Sequence, residues 1–250
     1  MINFIQTVLS GILLGGIYAA VATAFIVIFR GTRIFNFAQG EMVMLGGFLA
    51  WTILTYTSLP PWLAVIVAMV AAAGLGVLLE RLAIRPLIGQ PLFSIVMVTI
   101  ALILCLRGIT IIIWGAFPRR FPPLFGKRAL EIGPFSFSPS LLYGTIIISL
   151  LVLILWWMFS NTRRGLTMTA TAEDHQIASA LGISVKNSIT IAWAISGALS
   201  VIAAVSWLSG RSVGFLAAEI GLRALPCAML AGFESVSGAL LAGIIVGVSE

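Results

Sequence analysis

Charged side chains are scarce in this sequence of 250 residues, which has 14 basic and eight acidic residues. Charged residues make up 9% of the chain and hydrophobic residues 60%, whereas a soluble domain is about a quarter charged. This composition excludes an ordinary soluble protein and predicts an all-α, polytopic membrane helical bundle. The net charge of +6 lies in short loops, as is typical of membrane proteins, and does not indicate nucleic-acid binding.

Residues that hold metals or perform acid–base chemistry are equally rare. The chain has one histidine, His175, and two cysteines, Cys105 and Cys227, which lie in apolar segments and are interpreted as small buried hydrophobic residues. The sequence has no P-loop, because Gly126-Lys127 is followed by arginine instead of Ser or Thr. It also lacks the Gly-x-Ser-x-Gly and His-Glu-x-x-His motifs. We therefore expect no catalytic site, and no metal or cofactor bound by this chain.

Apolar runs long enough to cross a bilayer, which takes about 20 residues, predict most of the bundle. They lie at 1–29, 42–79, 92–114, 141–159 and 189–208. Pro60-Pro61 divides the second run into two spans. The glycine-rich segment 224–250 is interrupted at Gly232 and Glu234, which indicates either a discontinuous helix or a turn between two short helices. We expect about seven to nine transmembrane helices in one domain over 1–250, with some broken or re-entrant segments.

Small residues recur at helical spacing near both ends of the chain. Gly11 and Gly15 are four residues apart, and so are Gly243 and Gly247. This spacing favours close contact between helices, although ordinary glycine use in membrane helices explains it equally well.

Polar residues gather at the start of the second span, in the segment Asn36-Phe-Ala-Gln-Gly-Glu41. Polar groups at membrane depth are costly and tend to line a pathway or pair with a partner. Gly40 is able to break or bend the helix there. The alternative is a capped helix start, with Asn36 as N-cap and Glu41 near the positive end of the helix dipole. Arg107, toward the far end of its own span, is expected to extend to the membrane interface.

The longest polar interval is 161–187, which lies between two apolar runs and is therefore held at a membrane surface. Residues 165–181 contain no proline or interior glycine and predict one short helix, which ends at Gly182 as a C-cap glycine. Its apolar face is predicted to contain Leu166, Ala170, Ile177, Ala178 and Leu181, with Glu173, Asp174 and Gln176 elsewhere. This helix would present a polar face to a cytosolic partner. A solvated loop without a partner is the alternative.

The distribution of basic residues predicts the orientation. With 161–187 in the cytosol, the loops at 30–36 and 80–91 lie on the same side, where basic residues are more frequent. The proline-rich loop 115–139, which includes Lys127, then lies outside with the N-terminus. Its prolines predict only short extended pieces of structure.

Five short motifs follow one another along nearly the whole chain. They are Asn36-Phe-Ala-Gln-Gly-Glu41 with Met44-Leu-Gly-Gly47, Glu80-Arg-Leu-Ala-Ile-Arg-Pro-Leu87, Trp114-Gly115 with Pro118, Arg164-Gly-Leu-Thr-Met-Thr-Ala-Thr-Ala-Glu-Asp174 with Leu181-Gly-Ile183, and Leu230-Ala-Gly-Phe-Glu-Ser-Val-Ser-Gly238 with Gly247-Val-Ser-Glu250. Together they resemble the permease subunits of ABC importers for branched-chain amino acids.

This resemblance implies two sites. It favours a translocation pathway over a helix cap at Asn36, Phe37, Gln39, Gly40 and Glu41. It also implies that 161–187 is the cytoplasmic loop through which an ATPase is coupled, with contributions from Gly165, Glu173, Asp174, Ala178 and Gly182.

The partners follow from the same resemblance. A second permease subunit, identical or homologous, would complete the pathway within the inner membrane of a bacterium. Two cytosolic subunits would bind ATP and Mg, and a periplasmic protein would deliver the solute. The solute would be a branched-chain amino acid or a related small polar molecule; relatives of this kind also carry urea, short amides and carboxylic acids. A passive channel for such solutes is the alternative, and a lipid-acting membrane enzyme would need a paired site that the sequence does not contain.

The chain departs from the family pattern in two places. Members usually have Gly-Gly where this chain has Gly232-Phe233, which puts the local packing in question. Members also usually continue beyond the position of Glu250, so we expect that one or two further helices are missing here.

Overall fold

Helices form most of the computed structural model, which describes residues 2–126 and 128–250. Lys127, predicted to lie opposite the polar loop, is outside the described residues. The helices of the described chain are α1 (Ile2–Thr32), α2 (Gln39–Tyr56), α3 (Pro61–Leu79), α4 (Leu92–Trp114), α5 (Pro139–Asn161), α6 (Arg163–Glu173), α7 (His175–Ala180), α8 (Val185–Leu208), α9 (Glu219–Leu230) and α10 (Gly238–Ser249). The short strands are β1 (Arg119–Arg120), β2 (Leu130–Ile132), β3 (Phe135–Phe137) and β4 (Ser212–Val213).

Five helices of the described chain are long and apolar enough to cross a membrane. These spans are Asn3–Thr32, Pro61–Leu87, Leu92–Trp114, Pro139–Asn161 and Val185–Leu208. Helix α2 has 18 residues but begins with polar side chains, and α9 and α10 have 12 residues each, about 18 Å of helix against a hydrocarbon core of about 30 Å. The all-α membrane bundle is therefore confirmed, whereas the expected seven to nine spans are not.

Helices α1 and α8 occupy the centre of the bundle. Of the 18 most apolar consecutive residues in each of these two helices, 78% and 72% are buried. The corresponding fractions are 28%, 28% and 17% for the spans that contain α3, α4 and α5. The outer three helices therefore present their apolar side chains away from this chain, toward lipid or another subunit.

Close contact between α1 and α10 depends on glycine at four positions. A Cβ added to Gly15 would lie 2.3 Å from the carbonyl oxygen of Gly243, and one added to Gly247 would lie 2.3 Å from that of Gly11. Any larger residue must separate the two backbones. The prediction of close helix packing from the glycine spacing is confirmed.

The interruption in 224–250 is a turn between two short helices, α9 and α10. Gly232 has a φ of 70° and Phe233 a φ of 55°, the left-handed region that glycine adopts most easily. A Cβ on Gly232 would meet nothing within 4 Å, so the turn requires this glycine for its backbone and not for close packing. The Phe233 ring lies 4.6 Å from that of Phe35 and 5.2 Å from that of Phe29. These aromatic contacts offset the strain of a bulky residue in this conformation.

The described residues of the proline-rich loop form only short extended pieces, as predicted. Strand β1 pairs with β4, so that Arg119 faces Val213, and β2 pairs with β3. Both pairs are antiparallel. Strand β3 lies beside the start of α1, since Gln6 donates a hydrogen bond to the carbonyl oxygen of Ser136.

The glycine contacts make a stability prediction with an internal control. We expect Gly15→Ala to lower the free energy of unfolding in detergent by about 1–3 kcal/mol, because the methyl group overlaps the α10 backbone. Gly74→Ala, in α3, meets nothing within 4 Å and is expected to be neutral or to stabilise the helix by about 0.5–1 kcal/mol. Equal effects of the two substitutions on unfolding would contradict the close α1–α10 contact.

Candidate functional site

The segment before α2 forms a tight turn around Asn36. The Asn36 side-chain oxygen accepts a hydrogen bond from the Ala38 backbone N–H at 3.1 Å, and its amide donates to Gln39 Oε1 and Met42 Sδ, both at 3.3 Å. The N-cap residue is Ala38, and no side chain caps the helix. The simple capping alternative for Asn36 is therefore wrong, because its side chain makes an Asx turn and binds the side chains of the first helical turn.

Gln39 connects α2 to α8 in the buried centre of the bundle. Its Nε2 donates to Ser200 Oγ at 2.9 Å, and Ser196 Oγ donates to its Oε1 at 2.8 Å. All three side chains are fully buried, and satisfied polar groups of this kind fix the register of the helices that carry them. The two serines were not predicted, although their spacing of four residues in an apolar span was a usable signal.

Gly40 lies against α9. A Cβ at this position would meet the carbonyl oxygen of Ala218 at 2.2 Å, and a Cβ on Gly221 would meet the Gly40 Cα at 2.5 Å. Gly40 lies within α2, so its predicted role in breaking the helix is wrong. Its small size allows α2 and α9 to touch.

Glu41 turns toward α4, where Arg107 Nε donates to its Oε1 at 2.8 Å. Glu41 is only 3% exposed. Its second oxygen, Oε2, is buried and has no hydrogen-bond partner in the described chain. Arg107 keeps 46% of its side chain exposed while it pairs with this carboxylate, so its extension to the membrane interface stays a prediction.

A small cleft lies between α1, α2, α4 and α9. The cleft has a volume of about 90 Å³ and contains Glu41 and Arg107 together with Phe37 and Gly40. Phe37 is 40% exposed and contributes an aromatic wall. The structure therefore brings three of the five predicted pathway residues to one cleft, while Asn36 and Gln39 lie behind it in the buried polar cluster.

The polar loop contains two helices where one was predicted over 165–181. Helix α6 ends at Glu173, Asp174 has an extended backbone (φ −153°, ψ 115°), and α7 begins at His175. Asp174 Oδ1 accepts a hydrogen bond from the Ile177 backbone N–H at 2.9 Å, as a helix N-cap does. The single-helix prediction fails because aspartate at this position offers the backbone a local alternative to continuing the helix.

The exposed face of the loop also differs from the predicted one. Leu166, Ile177 and Leu181 are 70%, 61% and 74% exposed, whereas Ala178 is buried. The buried side of α6 contains Gly165, Met168, Thr171 and Ala172. The predicted apolar face is wrong, because the small residues pack inward and three large apolar residues project outward. The predicted direction of Gln176 lies outside the described side chains.

The structure explains why two positions of the loop are glycine. A Cβ on Gly165 would meet the Phe159 backbone at 2.5 Å, so this glycine lets α6 pack against α5. Gly182 has a φ of 77°, and the Ile183 N–H bonds to the carbonyl oxygen of Ala178 at 2.9 Å. The prediction of a C-cap glycine at Gly182 is confirmed.

Arg33 ties the loop to the end of α1. It forms ion pairs with Glu173 and with Glu234, the latter at 3.0 Å. Both carboxylates are about two-thirds exposed, so each pair contributes little to stability, about 0–1 kcal/mol. Arg30 adds a hydrogen bond to Thr169 at 3.1 Å. The contacts hold α6 beside the residues that lead into α2.

A second ion pair lies where α3 continues as a π-helical turn (Glu80–Ile84) and a 3-10 turn (Arg85–Leu87). The loop predicted to begin at Glu80 is therefore wrong over these residues. Arg85 Nε and Nη2 contact the two oxygens of Glu80 at 2.9 and 3.0 Å, and Thr190 of α8 bonds to both side chains. Glu80 is fully buried. The sequence indicated only a charged loop here, because the partner threonine is more than 100 positions away in the chain.

The fold and the site together define a multi-pass helical membrane protein with a polar cleft between its helices. A family model described as "Branched-chain amino acid transport system / permease component" matches residues 7–250. The chain therefore belongs to this family of permease components, and the resemblance inferred from the five motifs is confirmed.

Characterised relatives are similar over almost the whole chain. The high-affinity branched-chain amino acid transport system permease protein BraD of Pseudomonas aeruginosa is 28% identical, with 99% of this chain and 85% of that protein covered. The permease protein LivH of Salmonella typhimurium has the same identity and coverage. A solved structure, PsaBC from Streptococcus pneumoniae in complex with Fab, is 16% identical with a TM-score of 0.47, covering 98% of this chain and 79% of that chain. A likeness of that size supports no further conclusion.

The hydrogen bonds of Gln39 predict a substantial loss of stability when this residue is replaced. We expect Gln39→Leu to lower the free energy of unfolding by about 1–3 kcal/mol, since it leaves buried hydroxyl groups of α8 without their partner. Gln90, exposed between α3 and α4, provides the matched control, and Gln90→Leu should change unfolding by less than about 0.5 kcal/mol. Similar small effects at both positions would show that the α2–α8 link contributes nothing.

Proposed function

We propose that this chain is the transmembrane subunit of an ATP-driven importer, and that it moves branched-chain amino acids or related small polar solutes across a bacterial inner membrane. The observation that carries the proposal is the polar cluster at 36–41, buried between α2, α4, α8 and α9. Buried polar and ionisable groups within a membrane bundle are costly and mark solute pathways. In a member of this permease family, Asn36, Phe37, Gln39, Gly40 and Glu41 are therefore the proposed lining and support of the pathway.

The source of energy must be another subunit, because the sequence contains no P-loop. We propose that two cytosolic ATPase subunits, which bind ATP and Mg, dock on the loop 161–187. Leu166, Ile177 and Leu181 support this assignment, since three large apolar side chains projecting from a polar loop are typical of a protein-binding surface. Gly165, Ala178 and Gly182 would shape the loop from behind.

The acidic residues of the loop make contacts within this chain. Glu173 pairs with Arg33, and Asp174 caps α7. Their proposed contribution to coupling is therefore to fix the position and angle of the loop.

The exposed faces of the outer helices support the proposal of a second permease subunit. Helices α3, α4 and α5 expose apolar side chains such as Leu104 and Ile112, which suit lipid or a second, identical or homologous, permease subunit. A periplasmic solute-binding protein would deliver the solute at the end that carries β1 and β4. A passive channel, for urea or short amides, is the second candidate; it has no use for an exposed apolar docking surface on its polar loop.

The docking surface is tested by one charge placed at two positions. Ile177→Asp is expected to abolish co-purification of the ATPase subunits and solute uptake, because a buried carboxylate without a partner is strongly unfavourable at an interface. Ser179→Asp adds the same charge two residues later, turned by about 200° around the helix, and should leave both properties intact.

Thermal unfolding of the two purified variants controls for damage to the chain itself, and equal melting temperatures are expected because both side chains are exposed. Normal ATPase assembly and uptake in the Ile177→Asp variant would contradict the proposed docking surface.

A further inference from the structure

The second carboxylate oxygen of Glu41 is an unusual feature in this bundle. Glu41 is almost completely buried, yet Oε2 has no hydrogen-bond partner among the described residues while Oε1 is held by Arg107. A buried charged oxygen without a partner is costly to keep. The oxygen belongs to a residue that lines the cleft, so a ligand in the cleft is the natural source of the missing donor.

The positively charged guanidinium of Arg107 lies beside the Glu41 carboxylate. Only Nε of Arg107 is engaged by a hydrogen bond in the described part of the chain, and its side chain is 46% exposed. The guanidinium is a planar fork of five donors, and it recognises carboxylates by paired hydrogen bonds. The remaining donors are therefore suited to a carboxylate that lies beside the Glu41–Arg107 pair.

The walls of the cleft carry a second acid and several apolar groups. Glu219 lies on the α9 side, and the larger apolar residues of the lining are Phe25, Phe37, Ile103, Leu222 and Leu225. Two carboxylates and one guanidinium favour a ligand that has an ammonium group as well as a carboxylate. The apolar residues suit a hydrophobic substituent on that ligand.

The size of the cleft limits what enters it. Its volume of about 90 Å³ corresponds to roughly three water molecules in the liquid. This space accommodates the ammonium, α-carbon and carboxylate of an amino acid, whereas a branched side chain would extend along the apolar wall toward the opening.

We propose that this cleft binds the zwitterionic head group of an α-amino acid. Glu41 Oε2 accepts a hydrogen bond from the α-ammonium, and Arg107 donates to the α-carboxylate. The inference rests on the proposed function, because it assigns to the permease itself a direct contact with the solute during transport.

The test uses the complex of this chain with its partner permease and ATPase subunits, purified without the periplasmic binding protein. Equilibrium binding of radiolabelled L-leucine is measured in lipid nanodiscs. Two competitors separate the charges: leucinol has the ammonium but no carboxylate, and 4-methylpentanoate has the carboxylate but no ammonium. The wild-type complex is expected to bind leucine, and both competitors should displace it.

Each variant is expected to weaken displacement by a different competitor. Glu41→Gln is expected to weaken leucine binding about ten- to a hundredfold, the usual effect of losing a charge-assisted hydrogen bond, and to lose displacement by leucinol only. Arg107→Lys keeps the positive charge but loses the paired geometry, so displacement by 4-methylpentanoate should weaken selectively. Glu131→Gln, exposed in the proline-rich loop, is the control and should bind leucine normally.

Stability is measured on the same samples. If Glu41→Gln lowers the melting temperature, Glu41→Asp replaces it, because it retains the charge and withdraws the oxygen by one methylene. A tenfold weaker binding of leucine by a folded Glu41→Asp variant supports the proposal.

Several results would overturn the inference. These are unchanged leucine affinity in the variants, equal loss of both competitors in each variant, or no leucine binding by a wild-type complex that imports leucine into vesicles. In each case, intact ATPase assembly and uptake by the wild-type complex leave the proposed function standing. Failure of the wild-type chain to assemble with an ATPase and to import any solute would instead refute the proposed function.

Discussion

The hydrogen bonds between Gln39 of α2 and the serines of α8 set the geometry on which the site depends. Successive residues of a helix turn by about 100°, so once Gln39 faces α8, Gly40 faces α9 and Glu41 faces α4. An unpaired amide in this apolar interior costs about 1–3 kcal/mol, which strongly disfavours any rotation of α2 about its axis. Three consecutive residues thereby set α2 against three neighbouring helices, and two of these, α4 and α9, border the cleft.

The same end of α2 is connected to the polar loop by a short physical route. Arg33, three residues before Asn36, contacts Glu173 at the end of α6 and Glu234 after α9. Movement of α6 would therefore act on the segment that enters α2, through ion pairs that are weak enough to rearrange. If ATPase subunits dock on the loop as proposed, these contacts of Arg33 are where docking would reach the segment that leads into α2.

The sequence predicted the parts of the structure that local patterns determine, namely the apolar spans, the α1–α10 glycine contact and the C-cap at Gly182. It did not predict the ion pair of Arg107 with Glu41 or the inward packing of Ala178, because both depend on residues far away in the chain. The break at Asp174 has a local cause that alanine content hides, because aspartate caps the following helix. Polarity singled out Asn36, Gln39 and Glu41, and the family resemblance added Phe37 and Gly40 to the predicted pathway, but the division of these residues into cleft and support required the helix neighbours.

The proposed solute route passes through the cleft beside the start of α2. Phe37→Cys, in a chain with Cys105 and Cys227 replaced by alanine, places one thiol at this cleft, and Ile112→Cys places one on an exposed face of α4. The rate of maleimide labelling is measured in the assembled complex with and without L-leucine. If solute passes through the cleft, leucine slows labelling at position 37 and not at position 112. Equal labelling at position 37 with and without leucine, in a complex that transports leucine, would contradict the proposed route.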